Sequence, residues 1–359
     1  MPMSFKSQQG SAPLQAGIVG CGRIGCAFDD DPRRPWVSTH AKAYTQTPGF
    51  ELAALADVDM TRVERYADQY HVPGRYDDYR RMLDEAALDV VSLCTPADTH
   101  RVVCEAAIEA GIRAIFCEKP IAATVDDADA MIERCRDAGV LLMIDHQRRF
   151  DRFHRDIAEW IQSGGIGGVQ QVTCYSIAGV ANSGSHLFDL LRMCFGEIAW
   201  VQGVYSRNAS PLADDPNVDG WVGFDSGLIA TVQSLDVKQY VLFEMNVLGE
   251  KGRLRITANG LEAEYQEARP SHRFAEYREL YHTESPVDAS GPHEFMLQAM
   301  AHLHDCVSKG TAPWCTGEDG RRSLDIVLAM RATAASEGQR IETPVERETA
   351  TTLGNVAYV

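Results

Sequence analysis

The stretch that most constrains this chain lies near its start, Ala16 to Gly25, AGIVGCGRIG. A short apolar run, Ile18 and Val19, leads into Gly20-x-Gly22-x-x-Gly25, and residues able to start a helix follow. In a strand–turn–helix unit each glycine has a steric reason. Gly20 allows the tight turn, Gly22 lets the backbone approach a pyrophosphate, and Gly25 lets helix pack on strand. Arg23 and Ile24 fill the same turn and join the glycines as candidate cofactor contacts. The phosphates would sit on free N–H groups at the helix N-terminus, where the macrodipole favours an anion.

Asp57 ends the apolar run Leu52 to Ala56, which reads as the second strand. A carboxylate there accepts hydrogen bonds from the adenosine ribose hydroxyls and repels a 2′-phosphate, which favours NAD over NADP. Its distance from Gly25 is 32 positions, against roughly 20 in the usual unit. The excess is assigned to Phe28 to Ser38, FDDDPRRPWVS, whose prolines and acidic cluster cannot continue a helix. A solvated loop carboxylate is the plainer alternative for Asp57.

Beyond Asp57 the pattern alternates. A helical stretch, Arg62 to Tyr70, precedes a buried strand, Val90 to Cys94. A helix from Asp98 to Ala110 stops at Gly111, and a strand covers Ala114 to Cys117. A helix from Val125 to Ala138 stops at Gly139, and a strand follows at Val140 to Ile144. Such alternation predicts an α/β fold with a doubly wound parallel sheet.

At 359 residues the chain is long enough for two domains. The boundary is expected near residue 145, with the first domain over 1–145, a second over 146–342 and a tail over 343–359. After the basic segment His146-Gln147-Arg148-Arg149-Phe150, a helix spans Phe153 to Gln162. Alternating segments then read as strands: 169–177, 200–205, 221–224, 228–235, 242–248 and 253–257. They predict a large open, mostly antiparallel sheet of about six strands, its buried face covered by helices at His186 to Cys194 and Glu294 to Val307. A last helix is expected over Asp319 to Glu337.

Composition narrows the partners. A formal net charge of −17, spread along the chain, argues against nucleic acid or an anionic membrane. No apolar run approaches the ~20 residues that span a bilayer, and the polar N-terminal segment has no apolar core of a signal peptide. Ten cysteines are scattered without a CxxC pair or a metal-like Cys/His spacing. They read as reduced thiols of a cytoplasmic protein with no metal.

Three polar constellations carry candidate chemistry. Thr95-Pro96 with His100 follows the strand ending at Cys94, at the carboxyl edge where open α/β sheets bind ligands. Glu118-Lys119-Pro120 occupies the same edge after the next strand, where a partly desolvated lysine could hold a substrate oxygen or exchange a proton. Asn182-Ser183-Gly184-Ser185-His186 precedes a helix bearing Asp189 three residues on. Near a helix N-terminus, His186 would have its imidazolium disfavoured and be available as a neutral base. Turn, loop and helix-capping roles are the bland readings of the three. His282, His293, His302 and His304 read as surface or core residues.

Taken together, these motifs resemble the Gfo/Idh/MocA family of nicotinamide-dependent oxidoreductases. The resemblance runs from GIVGCGRIG through Asp57, Thr95-Pro96, Glu118-Lys119-Pro120, Arg148-Arg149-Phe150-Asp151 and Gly184-Ser185-His186 to Thr316-Gly317-Glu318-Asp319. It implies a Rossmann domain followed by a domain with an open sheet, and assembly as a dimer or tetramer through that sheet. It implies a sugar, nucleotide-sugar or cyclitol substrate between sheet and nicotinamide. Gly20, Gly22, Arg23, Ile24, Gly25, Asp57, Thr95, Pro96, His100, Glu118 and Lys119 become the expected cofactor contacts, and His146, Arg148, Asn182 and Asp189 the expected substrate contacts. Lys119, His186 and Asn182 become the expected catalytic set. One departure stands out: where the family usually has Asp four residues before the histidine, this chain has Asn182. An amide can orient a hydroxyl but cannot take its proton.

The leading expectation is therefore an NAD-dependent oxidoreductase acting on a secondary hydroxyl or ketone. His186 would accept the proton, Lys119 would polarise the oxygen and Asn182 would position it. A sugar-binding sensor or co-repressor without turnover is the alternative that Asn182 permits. Glycoside cleavage through transient oxidation is a third.

Overall fold

The computed structural model describes residues 12–345. Six parallel strands come first: β1 (Leu14–Val19), β2 (Phe50–Ala56), β3 (Gly74–Tyr76), β4 (Val90–Leu93), β5 (Ala114–Cys117) and β6 (Leu141–Ile144). Their order in the sheet is β3-β2-β1-β4-β5-β6. The chain therefore winds outward one way from β1, then crosses back and winds the other way from β4. The crevice between the carboxyl ends of β1 and β4 is the switch point where such sheets bind ligands. Helices α1 (His40–Gln46), α2 (Met60–Tyr70), α3 (Tyr79–Glu85), α4 (His100–Glu109) and α5 (Val125–Ala138) make the connections. β4 and β5 are buried at every position, as expected of strands covered on both faces.

The glycine motif does not open a long helix. One π-helical turn, Arg23–Ala27, is followed by a 3-10 turn, Phe28–Asp30. Regular helix resumes only at His40, after Thr39 caps α1 by accepting from Lys42 N at 3.2 Å. The expected helix dipole behind Gly22 is thus reduced to a single turn. The segment Phe28 to Ser38 is held in place by Asp29, which accepts from Ser38 N at 3.1 Å and from Thr39 Oγ1 at 2.6 Å. Two guanidiniums stack on Phe28, Arg34 at 4.1 Å and Arg23 at 4.7 Å from its ring centre.

The second part of the chain begins with α6 (Arg152–Gln162), β7 (Val169–Ile177), α7 (Gly184–Phe195), β8 (Ile198–Tyr205), β9 (Val218–Phe224) and β10 (Ile229–Leu235). It continues with β11 (Glu244–Gly249), β12 (Gly252–Thr257), β13 (Glu262–Pro270), β14 (Arg278–Thr283), α8 (Phe295–Lys309), α9 (Gly317–Ala335) and β15 (Ile341–Glu342). The sheet has nine strands rather than six, in the order β14-β13-β12-β11-β7-β10-β9-β8-β15. All neighbours are antiparallel except β10 on β7. Strands β13 and β14 escape a hydrophobic-pattern search because neither has a buried face.

Two helices depart from their expected places. The helix at Glu294 to Val307 was expected on the sheet; as α8 it packs instead against α1 of the first domain. α9 is buried nearly all round, which marks a helix enclosed by other elements. It contacts α5 and β6 on one side and α7 and β8 on the other. Its approach to the first domain is close: a Cβ on Gly317 or Gly320 would stand 2.8 Å from Ile132 or Ile144. A capping box between Thr316 and Asp319 satisfies its first turn. The expected tail falls outside the described residues from 346 onward. Its first residues are anchored, since Val345 is buried and its N–H donates to Asp325 Oδ1 at 3.1 Å.

Candidate active site

A cavity of about 1620 Å³ opens at the switch point and runs between the two sheets' domains. It exceeds the roughly 300–1,000 Å³ of an ordinary small-ligand pocket, so it has room for a dinucleotide and a second small molecule. At one end it is lined by the glycine turn and Asp57, at the other by Lys119, Arg148, Asn182 and His186.

The turn fits a pyrophosphate. Gly20 sits at φ +100°, and a Cβ there would stand 2.6 Å from the Cys94 carbonyl oxygen. Gly25 is turned inward: its Cβ would meet Gly20 O at 2.0 Å, so it is a packing glycine outside the cavity wall. Gly22 has open space where a Cβ would be, as required if a pyrophosphate is to approach the backbone there. Arg23 and Ile24 line the cavity beside it. Asp57, at the end of β2, accepts from Cys21 N at 2.7 Å and Asp59 N at 2.9 Å, and its carboxylate faces the same space. The reading of Asp57 as a solvated loop group does not describe this position.

Thr95 and Pro96 line the cavity after β4. His100 does not. It is buried with Nε2 at 2.8 Å from Thr95 O and Nδ1 at 3.1 Å from Ile121 O, so it holds the turn from behind. Glu118 and Lys119, after β5, reach the cavity together.

Lys119 Nζ donates to Asn182 O at 3.1 Å and to Asn182 Oδ1 at 3.4 Å. Burial lowers the Lys119 pKa to about 8, against the pull of Glu118, Asp215 and Asp145. Asn182 sits in a π-helical turn, Gly179–Ser183, just before α7. Asp215 pins that turn: Oδ1 accepts from Ala181 N and Oδ2 from Asn182 N, both at 2.8 Å. A side chain on Gly179 would collide with the same carboxylate at 2.0 Å, so glycine is required there. Asp215 lies in an irregular loop 33 residues from Asn182, with no sequence pattern to betray it.

His186, in the first turn of α7, faces the cavity with Nδ1 buried and without a hydrogen-bond partner. Its pKa is well below the ordinary value, first through burial and then through Lys119, Arg148 and His146. The neutral imidazole is expected from the helix dipole; here burial acts first, with Lys119 and Arg148 adding to it. Asp189 does not pair with His186 and does not reach the cavity. It is buried against Arg149, with Nε at 2.9 Å from Oδ1 and from Oδ2, and a buried pair of this kind is structural. His146 is also buried, one layer back, its ring edge-on to His186 at 6.1 Å.

Sequence reasoning missed a buried cluster behind Lys119. His40 Nε2 lies 3.0 Å from Glu118 Oε1 and 3.8 Å from Asp145 Oδ2. His40 Nδ1 reaches Ser92 Oγ at 2.9 Å, and Tyr44 OH reaches the same oxygen at 2.8 Å. Burial lifts Glu118 to about 7 and drops His40 to about 4, while burial and Glu118 raise Asp145 well above the usual carboxyl range. The three groups offer donor atoms within 4.8 Å of one another, a set that could hold a cation. Two buried carboxyls so close resist joint ionisation, which makes a shared proton the simpler occupant. Their separation in the sequence explains why no metal-like spacing marks them.

With this geometry in view, comparison with known proteins decides the family. Residues 14–146 match the model described as "Oxidoreductase family, NAD-binding Rossmann fold", and residues 175–255 match the GFO/IDH/MocA C-terminal domain. The chain belongs to the Gfo/Idh/MocA oxidoreductase family. Among relatives in this family, D-apiose dehydrogenase of Paraburkholderia graminis is 26% identical over 349 residues, 89% of this chain and 88% of the relative. Myo-inositol 2-dehydrogenase of Thermotoga maritima is 27% identical over 342 residues, 87% of this chain and 93% of the relative. The WlbA dehydrogenase of Bordetella pertussis, solved with NADH and UDP-GlcNAcA, has a TM-score of 0.73 at 20% identity, covering 93% of this chain and all of that one. That last likeness bears on the fold, which in this chain is a six-stranded parallel sheet beside a mixed nine-stranded one. The named relatives are dehydrogenases acting on CH–OH groups.

Proposed function

We propose that this chain is an NAD-dependent dehydrogenase that oxidises a secondary hydroxyl of a sugar-like molecule, or reduces the matching ketone. The observation that carries this reading is the placement of Lys119 and His186 on one cavity wall, with Asn182 bonded to the lysine. A nicotinamide dinucleotide, when bound, supplies the ring that exchanges hydride. The residues of the chain do the rest. Gly20 and Gly22 admit the pyrophosphate and Asp57 holds the adenosine ribose, disfavouring a 2′-phosphate and so NADP. Lys119 polarises the substrate oxygen, Asn182 orients it, and the neutral His186 takes its proton.

The relatives' names supply the substrate class: a pentose for one, a cyclitol for another. Absorbance at the reduced-nicotinamide band across a panel of sugars, cyclitols and sugar acids tests the reading. Turnover in either direction supports it. Tight NADH and sugar binding without turnover would favour a sensor, the reading that the uncharged Asn182 keeps open. Exposed Val204, Trp221 and Ile229 on one face of the nine-stranded sheet support assembly of copies through that face, measurable by light scattering. Ten buried cysteines without a disulfide fit a reducing compartment such as the cytoplasm.

A further inference from the structure

Arg148 enters the cavity from the turn after β6 and lines it with Lys119 and His186. Its guanidinium lies 3.7 Å over the ring of Phe243, yet Nε and Nη1 are buried without a hydrogen-bond partner. Burial lowers its pKa to about 10, which leaves it charged at neutral pH. A buried cation without a counter-ion is costly, so something normally meets it.

The carboxylates around it are already engaged. Asp151 accepts from His154 Nδ1 at 2.6 Å and lies 3.2 Å from His293 Nδ1. Asp189 is held by Arg149 at 2.9 Å, and Asp215 by two backbone N–H groups. Glu118 faces His40. Asn182, which accepts from the lysine ammonium, is an uncharged amide. Arg148 therefore reaches the cavity beside Lys119 and His186 with two of its own nitrogens buried and unpaired.

We propose that the substrate carries a carboxylate that pairs with Arg148, which makes it a sugar acid, such as a uronate or aldonate, rather than a neutral sugar or cyclitol. This rests on the dehydrogenase reading above and narrows it. A guanidinium matches a carboxylate in shape and charge better than an ammonium does. The carbon skeleton has an apolar wall to lie against, formed by Val241, Leu261, Phe295 and Met296. The substrate's charge also serves the base. Lys119 and Arg148 both disfavour a proton on His186, and neutralising Arg148 relieves part of that repulsion as the hydroxyl proton is taken.

Matched pairs test this: D-glucuronate against D-glucose, D-galacturonate against D-galactose, and D-gluconate against D-glucitol. Each is titrated by calorimetry into the full chain, with and without NADH, and assayed for rate with NAD⁺. At least one acid is expected to bind about 10- to 100-fold more tightly than its neutral partner, the range of a hydrogen bond to a charged group. Arg148→Gln should erase that preference and Arg148→Lys should restore part of it, which separates charge recognition from misfolding. The inference is overturned if no acid binds, if neutral partners bind equally well, or if the preference survives in Arg148→Gln. Failure to bind NADH would instead strike the dehydrogenase reading, while the acid preference is still read without cofactor.

Discussion

Asn182 holds the Lys119 ammonium with both of its oxygens, the backbone carbonyl at 3.1 Å and the side-chain amide at 3.4 Å. The amide offers a dipole where a carboxylate would offer a charge. Lys119, drawn down to about 8 by burial, therefore loses part of its proton just above neutrality. Restoring a charge with Asn182→Asp should raise the lysine pKa by roughly 1–3 units, the usual effect of an opposite charge at such a distance. The alkaline or acid limb of the pH–rate profile assigned to Lys119 should move upward by that amount. A profile that stays in place would leave Asn182 as a turn residue with no electrostatic hold on the lysine.

Among the described residues His186 has no carboxylate partner, and its low proton affinity comes from burial with two cations nearby. Its replacement by alanine should lower kcat by about 10²- to 10⁴-fold, the range for one positioned acid–base group. Binding of NAD should be preserved, because His186 stands at the opposite end of the cavity from Asp57. Single-turnover kinetics checks the first part and calorimetry the second. An unchanged rate would pass the proton-acceptor role to Lys119, whose affinity for a proton lies nearer neutrality.

Asp57 spends one oxygen on Cys21 N and the other on Asp59 N, yet still faces the cavity. Asp57→Asn should weaken NAD binding by roughly tenfold to a hundredfold, as for loss of a hydrogen bond to a charged group. It should weaken NADP binding less, because the repulsion of a 2′-phosphate goes with the charge. Parallel titrations with the two dinucleotides read the ratio directly, and a ratio that does not move would contradict the ribose assignment.

The buried cluster behind Lys119 gives a stability prediction whose sign can be worked out. Glu118 titrates near 7 in the folded chain and near its ordinary 4.5 when unfolded. The folded state thus binds the extra proton, and its contribution is full below 4.5 and lost as pH rises through 7. That span corresponds to about 3 kcal/mol. His40, lowered to about 4, acts in the opposite sense at the acid end, with stability lost as pH falls. The informative quantity is therefore the stability of wild type minus that of Glu118→Gln, which should decline between pH 4.5 and 7.5. Denaturant melts at several pH values measure it, and a flat difference would mean that Glu118 is already ionised in the fold.

How much of this was legible in the chain depends on how local each feature is. The first sheet and the helices α4 and α5 follow from apolar runs bounded by glycine, because burial on both faces leaves a local mark. β13 and β14 left little, since no residue of either is fully buried and charged residues interrupt their few apolar ones. Lys119, Asn182 and His186 could be found from short motifs at strand and helix ends. Their supports were not legible: Glu118 stands in the lysine's own motif but its partner His40 is 78 residues away, and Asp215 reaches Asn182 from an unpatterned loop. Spacing misled at Asp189, which lies one turn from His186 but is claimed by Arg149, a partner visible only once α7 meets the turn after β6.

Two glycines of one motif should fail in different ways. Gly25 lies against the turn itself, with Gly20 O only 2.0 Å from where its Cβ would be. Backbone cannot step aside as a flexible side chain can, so Gly25→Ala should distort the turn, lower the melting temperature and abolish NAD binding together. Gly22 has nothing within 4 Å of that position and a φ of −73°, which an alanine adopts without strain. Gly22→Ala should therefore leave stability within about 0.5 kcal/mol of wild type, as for a surface change, because only the space reserved for the pyrophosphate is invaded. Its NAD affinity should nonetheless fall by at least tenfold. Thermal melts and NAD titrations on the two variants separate a glycine kept for packing from one kept for a ligand. Equal NAD affinity in Gly22→Ala and wild type would mean that the dinucleotide does not approach the chain at this turn.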